Sequence, residues 1–113
     1  MNARIKVLIA FGAMGYSQIG YPNEAHQIVS RMSDSQRNST FEKFMARSGE
    51  DCPTVQRNFF QGTDKRGNAT WNVACSNKKS FAITIYNDSQ GSTKILNCAA
   101  LKAVANVDCF KKF

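Results

Sequence analysis

A single histidine, two prolines and eight acidic side chains in 113 residues leave several familiar chemistries without material. With His26 alone, no second imidazole is at hand to share a metal or to split acid and base roles. Carboxylates are scarcest where the chain is richest in strand-like sequence. From Cys52 onward there are only Asp64, Asp88 and Asp108. Two of these sit in turns, so a paired acid/base site is poorly supplied. No apolar run approaches the roughly 20 residues that cross a bilayer unaided. No two cysteines form a Cys-x-x-Cys pair, and the closest, Cys98 and Cys109, stand eleven positions apart. Structural zinc sites draw on tighter pairs, in which one turn delivers two thiolates. A phosphate-cradling glycine loop, a His-Glu-x-x-His helix, a nucleophile motif and a calcium loop are missing as well. No catalytic residue, metal or cofactor is therefore assigned.

What the chain does have is four cysteines, Cys52, Cys75, Cys98 and Cys109, all in its second half. An even count in a short chain with an export-like start reads as two disulfides in a protein folded outside the cytoplasm. Met1–Lys6 carries two positive charges, the run VLIAFGAM follows, and small residues come next. This is the layout of a secretory signal peptide, with Ala13 and Gly15 suited to cleavage before Tyr16, or Gly15 and Ser17 to cleavage before Gln18. Residues 1–15 are read as a signal peptide or, alternatively, as a retained anchor that makes membrane contact through residues 1–21. Residues 16–113 form one domain. A buried strand over RIKVLIAFG is a third reading. The Gly12-Ala-Met-Gly15 spacing does not fit the dinucleotide-binding fingerprint, which needs G-x-G-x-x-G between strand and helix.

Between Asn23 and about Gln36, Ala25, Ile28, Val29 and Met32 fall at helical spacing, which predicts one buried face. Ser39-Thr40-Phe41-Glu42 fits a capping box, and Gly49 is a natural stop. Two short helices, or one helix broken near Arg37–Ser39, are expected. His26 lies off the apolar stripe and reads as a surface side chain.

Four strand-like stretches follow, at 54–62, 69–75, 80–86 and 92–97. Two of the intervening turns carry Asp three residues before Gly, at Asp64/Gly67 and Asp88/Gly91. Asp opens such turns through its side chain, and Gly accepts a positive φ near their end. The pattern predicts a four-stranded antiparallel meander. Alternation places Trp71, Val73 and Cys75 on one face with Phe81, Ile83 and Ile85. Val55, Phe59 and Ile95 are expected to join them, and Phe60, Tyr86 and Leu96 to face away. The run AALKAVA predicts a short terminal helix between Cys98 and Cys109. Four cysteines permit three pairings. Cys52–Cys75 with Cys98–Cys109 is favoured, since the first pair ties a hairpin's start to its end and the second pins that helix. The fold class expected is α+β: N-terminal helical segments on a four-stranded meander, a short C-terminal helix and two disulfides.

The formal charge is +7, and the excess lies in residues 52–113, with nine basic side chains against three acidic. A cationic, disulfide-stapled domain is drawn to acidic protein or anionic surfaces. Arg57, Lys65, Arg66, Lys78 and Lys79 are the candidate contacts for such a partner. The aromatic residues fit a core better than a base-stacking platform, so nucleic acid is disfavoured. A basic hydrolase acting on anionic polymer would need a second catalytic group beside His26.

The stretches Phe60-Gln-Gly-Thr-Asp-Lys, Trp71-Asn-Val-Ala-Cys-Ser and Ser92-Thr-Lys-Ile-Leu-Asn-Cys carry a resemblance over about Cys52–Phe113. This part of the chain resembles small exported proteins of proteobacteria that have no assigned activity. The resemblance implies export to the periplasm or beyond and a shared fold. It implies no activity and carries no functional residue across. The expected role is a non-enzymatic binding, inhibitor or accessory module, or an accessory subunit of a membrane complex if the N-terminal segment is retained.

Overall fold

The computed structural model describes residues 23–113. The signal or anchor reading of residues 1–15 and the membrane contact through 1–21 fall outside the described residues. In chain order the elements are α1 (Glu24–Ser30), α2 (Asp34–Arg47), β1 (Val55–Thr63), β2 (Ala69–Cys75), β3 (Ser80–Ile85), β4 (Thr93–Asn97) and α3 (Cys98–Ala105). The strands form one antiparallel sheet in the order β1-β2-β3-β4. The α+β meander with its short terminal helix is thus the observed architecture, and the disulfides are Cys52–Cys75 and Cys98–Cys109.

The helices start and stop for local reasons. Asn23 caps α1: its Oδ1 accepts from the His26 N–H, while its Nδ2 donates to Gly67 O and Ile85 O. The cap therefore also fastens the helix to the turn end of the sheet. Ser33 caps α2 in a box with Gln36, so the helical segment breaks at Arg31–Ser33 and not near Arg37–Ser39. Ser39 lies inside α2, and Glu42 reaches across to accept from the Val55 N–H at the start of β1, 2.8 Å away. Two successive Ser-x-x-Glu/Gln boxes compete here, and the earlier one wins. Gly49, at φ 73°, ends α2 as expected, with the Glu50 N–H returning to Met45 O.

Both helices lie on one face of the sheet. Val29 of α1 and Phe41 and Met45 of α2 are buried with Val55, Trp71, Val73, Cys75, Phe81, Ile83 and Ile85. Each fully buried large apolar side chain contributes about 1.5–3 kcal/mol. Ile28, placed by the periodicity on the buried stripe, is 61% exposed, because only two turns of α1 form and it is Ala25 and Val29 that pack on the core.

Phe59 and Phe60 exchange the faces expected of them. Phe60 pairs with Trp71 and Phe59 with Asn72. A register shift between Val55 and Arg57 inserts Gln56 as an extra residue in β1. Because side chains alternate with a period of two, that one residue flips the positions from Arg57 to Phe60, before a second shift between Phe60 and Gly62. Phe60 then packs against the core, and Phe59 meets Phe110 on the opposite face.

That opposite face is partly covered by the chain after α3. The Phe110 N–H and Gln61 Nε2 both donate to Asn72 Oδ1, and Gln61 Nε2 also donates to Lys111 O. Lys112 Nζ donates to Phe60 O and Gln61 O. Asn72 is fully buried, and its Nδ2 lacks a hydrogen-bond partner among the described residues.

Candidate functional site: a lysine-lined cleft at the second disulfide

The five candidate cations lie in three places. Lys65 and Arg66 occupy the β1–β2 turn, and Lys78 and Lys79 the β2–β3 turn. These turns sit at opposite ends of β2, about 23 Å apart at the rise of an extended strand. Arg57 stands on the far face, its guanidinium 3.9 Å over the Phe110 ring. The fold does not assemble the five into one patch.

It does gather Lys78 and Lys79 with a lysine that the sequence reading did not single out. The N-terminus of α3 comes beside the β2–β3 turn, and Lys102 stands one turn into that helix. Together they line an open cleft of about 420 Å³, whose wall also includes Asn97, Asp108 and the Cys98–Cys109 disulfide. Lys78 is held by a tight turn. Its N–H donates to Cys75 O and its φ is 70°, a left-handed value that presents the side chain outward. Asn77 Oδ1 accepts from the Lys79 N–H, and Asn77 Nδ2 donates to Asp51 O, so the turn is fastened to the loop before β1. Lys79 Nζ pairs with Asp51 at 3.1 Å and Lys102 Nζ with Asp108 at 3.1 Å. Both pairs are open to solvent, where such pairs contribute little and exchange partners readily. The three lysines of the cleft wall thus stand against two carboxylates, Asp108 in the wall and Asp51 beside Lys79, and Lys78 has no ion-pair partner among the described residues.

α3 supplies the remaining electrostatics. Asn97 caps it, its Oδ1 accepting from the Ala99 and Ala100 N–H groups, and Cys98 is its first residue. The helix buries none of its side chains, and Val104 is 82% exposed. Its position depends on the strand before it and on the disulfide after it.

His26 is half-buried in an aromatic cluster and is not a surface side chain. Its Nδ1 accepts from Trp71 Nε1 at 3.1 Å, and its ring stacks on Phe60 at 4.9 Å. Burial lowers its pKa below the usual 6.5. The one-residue flip in β1 brings Phe60 to this cluster, so periodicity in α1 alone could not place the imidazole. The exposed turn carboxylates of Asp64 and Asp88 titrate below the usual 3.8. Asp64 accepts first of all from the backbone of Asn68, and Asp88 from that of Ser92.

Among the described residues, no group of three or more His, Cys, Asp or Glu is arranged to hold a metal ion, and no helix is long and apolar enough to cross a membrane. No protein-family model, curated protein or solved structure matches the chain.

Proposed function

We propose that this chain is a small exported protein that acts by binding an acidic partner outside the cytoplasm, and not by catalysis. The observation that carries the reading is the cleft at the β2–β3 turn, where Lys78, Lys79 and Lys102 gather with only two carboxylates, Asp108 and Asp51, both in solvent-exposed pairs. Three ammonium groups on a rigid, disulfide-bound wall suit an anionic protein segment. Long-range attraction by such groups raises association rates and fades with salt. The four cysteines and the cationic start of the chain support export, as does the resemblance over Cys52–Phe113. Export to the periplasm or beyond and an accessory or inhibitor role belong to this same proposal. If residues 1–15 are retained, the same surface would work from a membrane tether.

Poly-L-glutamate, a defined acidic polypeptide, tests the reading in binding titrations at low and high salt. The K78Q/K79Q/K102Q variant is expected to lose about tenfold or more in affinity, roughly 1.4 kcal/mol. The control K65Q/R66Q/K94Q variant, which removes three charges outside the cleft, should lose less. Equal losses in the two variants would mean that net charge, and not the cleft, does the binding.

A further inference from the structure

The two disulfides occupy different environments. Cys75 is 3% exposed and belongs to the core; its partner Cys52 is half-buried and packs against that core without lining the cleft. Cys98 and Cys109 are both half-buried, and both line the open cleft. We infer that Cys98–Cys109 is an exchangeable disulfide that reacts with thiols, preferentially those bearing negative charge, while Cys52–Cys75 is a structural staple. This site shares the cleft with the proposed binding function but stands on the exposure and surroundings of the sulfur atoms.

Three features favour exchange here. The cleft gives an incoming thiolate a path to the bond. The leaving group is well placed: Cys98 opens the eight-residue α3, where the positive end of the helix dipole stabilises a thiolate. A leaving thiol of lowered pKa departs faster. Finally, Lys78, Lys79 and Lys102 line the same cleft, so an anionic thiol is concentrated where it reacts.

The chemistry balances with an external dithiol as the reductant. One of its thiolates attacks Cys109 Sγ, the Cys98–Cys109 bond breaks, and Cys98 leaves as a thiolate. The second external thiol then attacks the external sulfur of the mixed disulfide and releases Cys109. Two electrons pass from the dithiol to the cysteine pair. The dithiol closes to its own disulfide, and its two protons end on Cys98 and Cys109.

The bond also governs what lies beyond it. Residues 110–113 cross the face of the sheet opposite the helices, held by the bonds to Asn72, Gln61 and the carbonyls of Phe60 and Gln61. Once the bond opens, only those hydrogen bonds and the contacts of the Phe110 ring with Phe59 and Arg57 keep the segment on the sheet. Reduction would therefore loosen a cover over an aromatic and amide-lined surface.

The unvaried native protein is sufficient for the first test. It is treated with limiting dithiothreitol without denaturant, quenched with iodoacetamide and mapped by mass. Cys98 and Cys109 should acquire label at least about tenfold faster than Cys52 and Cys75. Equal rates, or earlier labelling of Cys52 and Cys75, would overturn the assignment. The second test compares 2-mercaptoethanesulfonate with neutral 2-mercaptoethanol, per thiolate. The anionic thiol should open Cys98–Cys109 about threefold faster at low salt, and lose that lead in K78Q/K79Q/K102Q and at about 0.5 M salt. The absence of any lead would overturn the preference for charged thiols. Selective opening in a protein that ignores poly-L-glutamate would sink the binding function and leave this inference standing.

Discussion

Arg37 ties the helical layer together through several bonds at once. Its Nε donates to Val29 O, and its Nη2 donates to Ser30 O and Met32 O, so it binds carbonyls at and just beyond the C-terminus of α1. Its guanidinium also lies 4.8 Å over Trp71. Only 12% of the side chain is exposed, whereas its ion-pair partner Asp34 is 87% exposed. Replacement by methionine should cost about 2–4 kcal/mol in urea unfolding, since three carbonyls lose a charged donor. Asp34→Ala should cost less than about 0.5 kcal/mol, as exposed pairs generally do. Equal costs would mean that the ion pair matters and the carbonyl cap does not. His26 gives a second test at this scale. Its folded pKa is below the ordinary 6.5, so the unfolded chain takes up a proton first as pH falls. Its stabilisation is complete above 6.5 and declines as pH drops through the lowered value, where protonation also removes the acceptor for Trp71. His26→Phe should flatten the stability profile between about pH 7 and 5. A persisting slope there would assign it to another group. Asp64 and Asp88 answer in a separate window, since their contribution is present above 3.8 and is lost as pH falls through their lower folded values.

At the level of the elements, the turns decide register. Gly67 closes the β1–β2 turn at φ 82°, and a Cβ built there would stand 2.6 Å from Asn87 Nδ2. Asn87 in turn donates to Arg66 O, joining the two Asp-x-x-Gly turns side by side. Gly67→Ala should therefore destabilise by about 2 kcal/mol or more, combining an unfavourable φ with a collision. Gly49→Ala meets no atom within 4 Å and should show only the φ penalty of about 1 kcal/mol. Comparable thermal shifts for the two would remove the steric part of this explanation. The paired turns are legible in the sequence because Asp and Gly work locally: the Asp64 carboxylate accepts from the Arg66 and Asn68 N–H groups, and the Asp88 carboxylate from those of Gln90 and Ser92. The strands and the terminal helix are legible for the same reason. The bulge at Gln56 is not, since no residue type there demands it, and so Phe59 and Phe60 are misplaced by simple alternation. The helix break is ambiguous because Ser33–Gln36 and Ser39–Glu42 spell nearly the same signal. In the cleft, Lys78 and Lys79 are visible as a turn pair. Lys102 joins them only because α3 folds back beside that turn, which is a tertiary event.

For the molecule as a whole, the disulfides divide the labour of stabilisation. Cys52–Cys75 spans 23 positions and Cys98–Cys109 spans 11. In the chain-entropy view, the shorter loop contributes about 0.6 kcal/mol less. The larger difference comes from position. Cys75 is in the core, so opening its bond leaves one thiol among packed side chains, with half-buried Cys52 beside it, whereas Cys98 and Cys109 border a cleft. The double variant C52A/C75A should therefore lose about 3–4 kcal/mol and C98A/C109A about 2 kcal/mol or less by chemical denaturation. The reverse order would place the structural burden on the C-terminal loop and contradict the division of roles. The same bonds join fold to compartment, because structural disulfides persist where the surroundings are oxidising. The intact mass of protein taken from its producing cell, with and without reductant, reads both properties together. The expected mass corresponds to a chain beginning at Tyr16 or Gln18 and lighter by the hydrogens of two disulfides. A full-length chain with both bonds formed would favour the tethered form. A full-length, fully reduced chain would remove the export reading, and with it the oxidising partner that would have to re-form Cys98–Cys109 after each exchange.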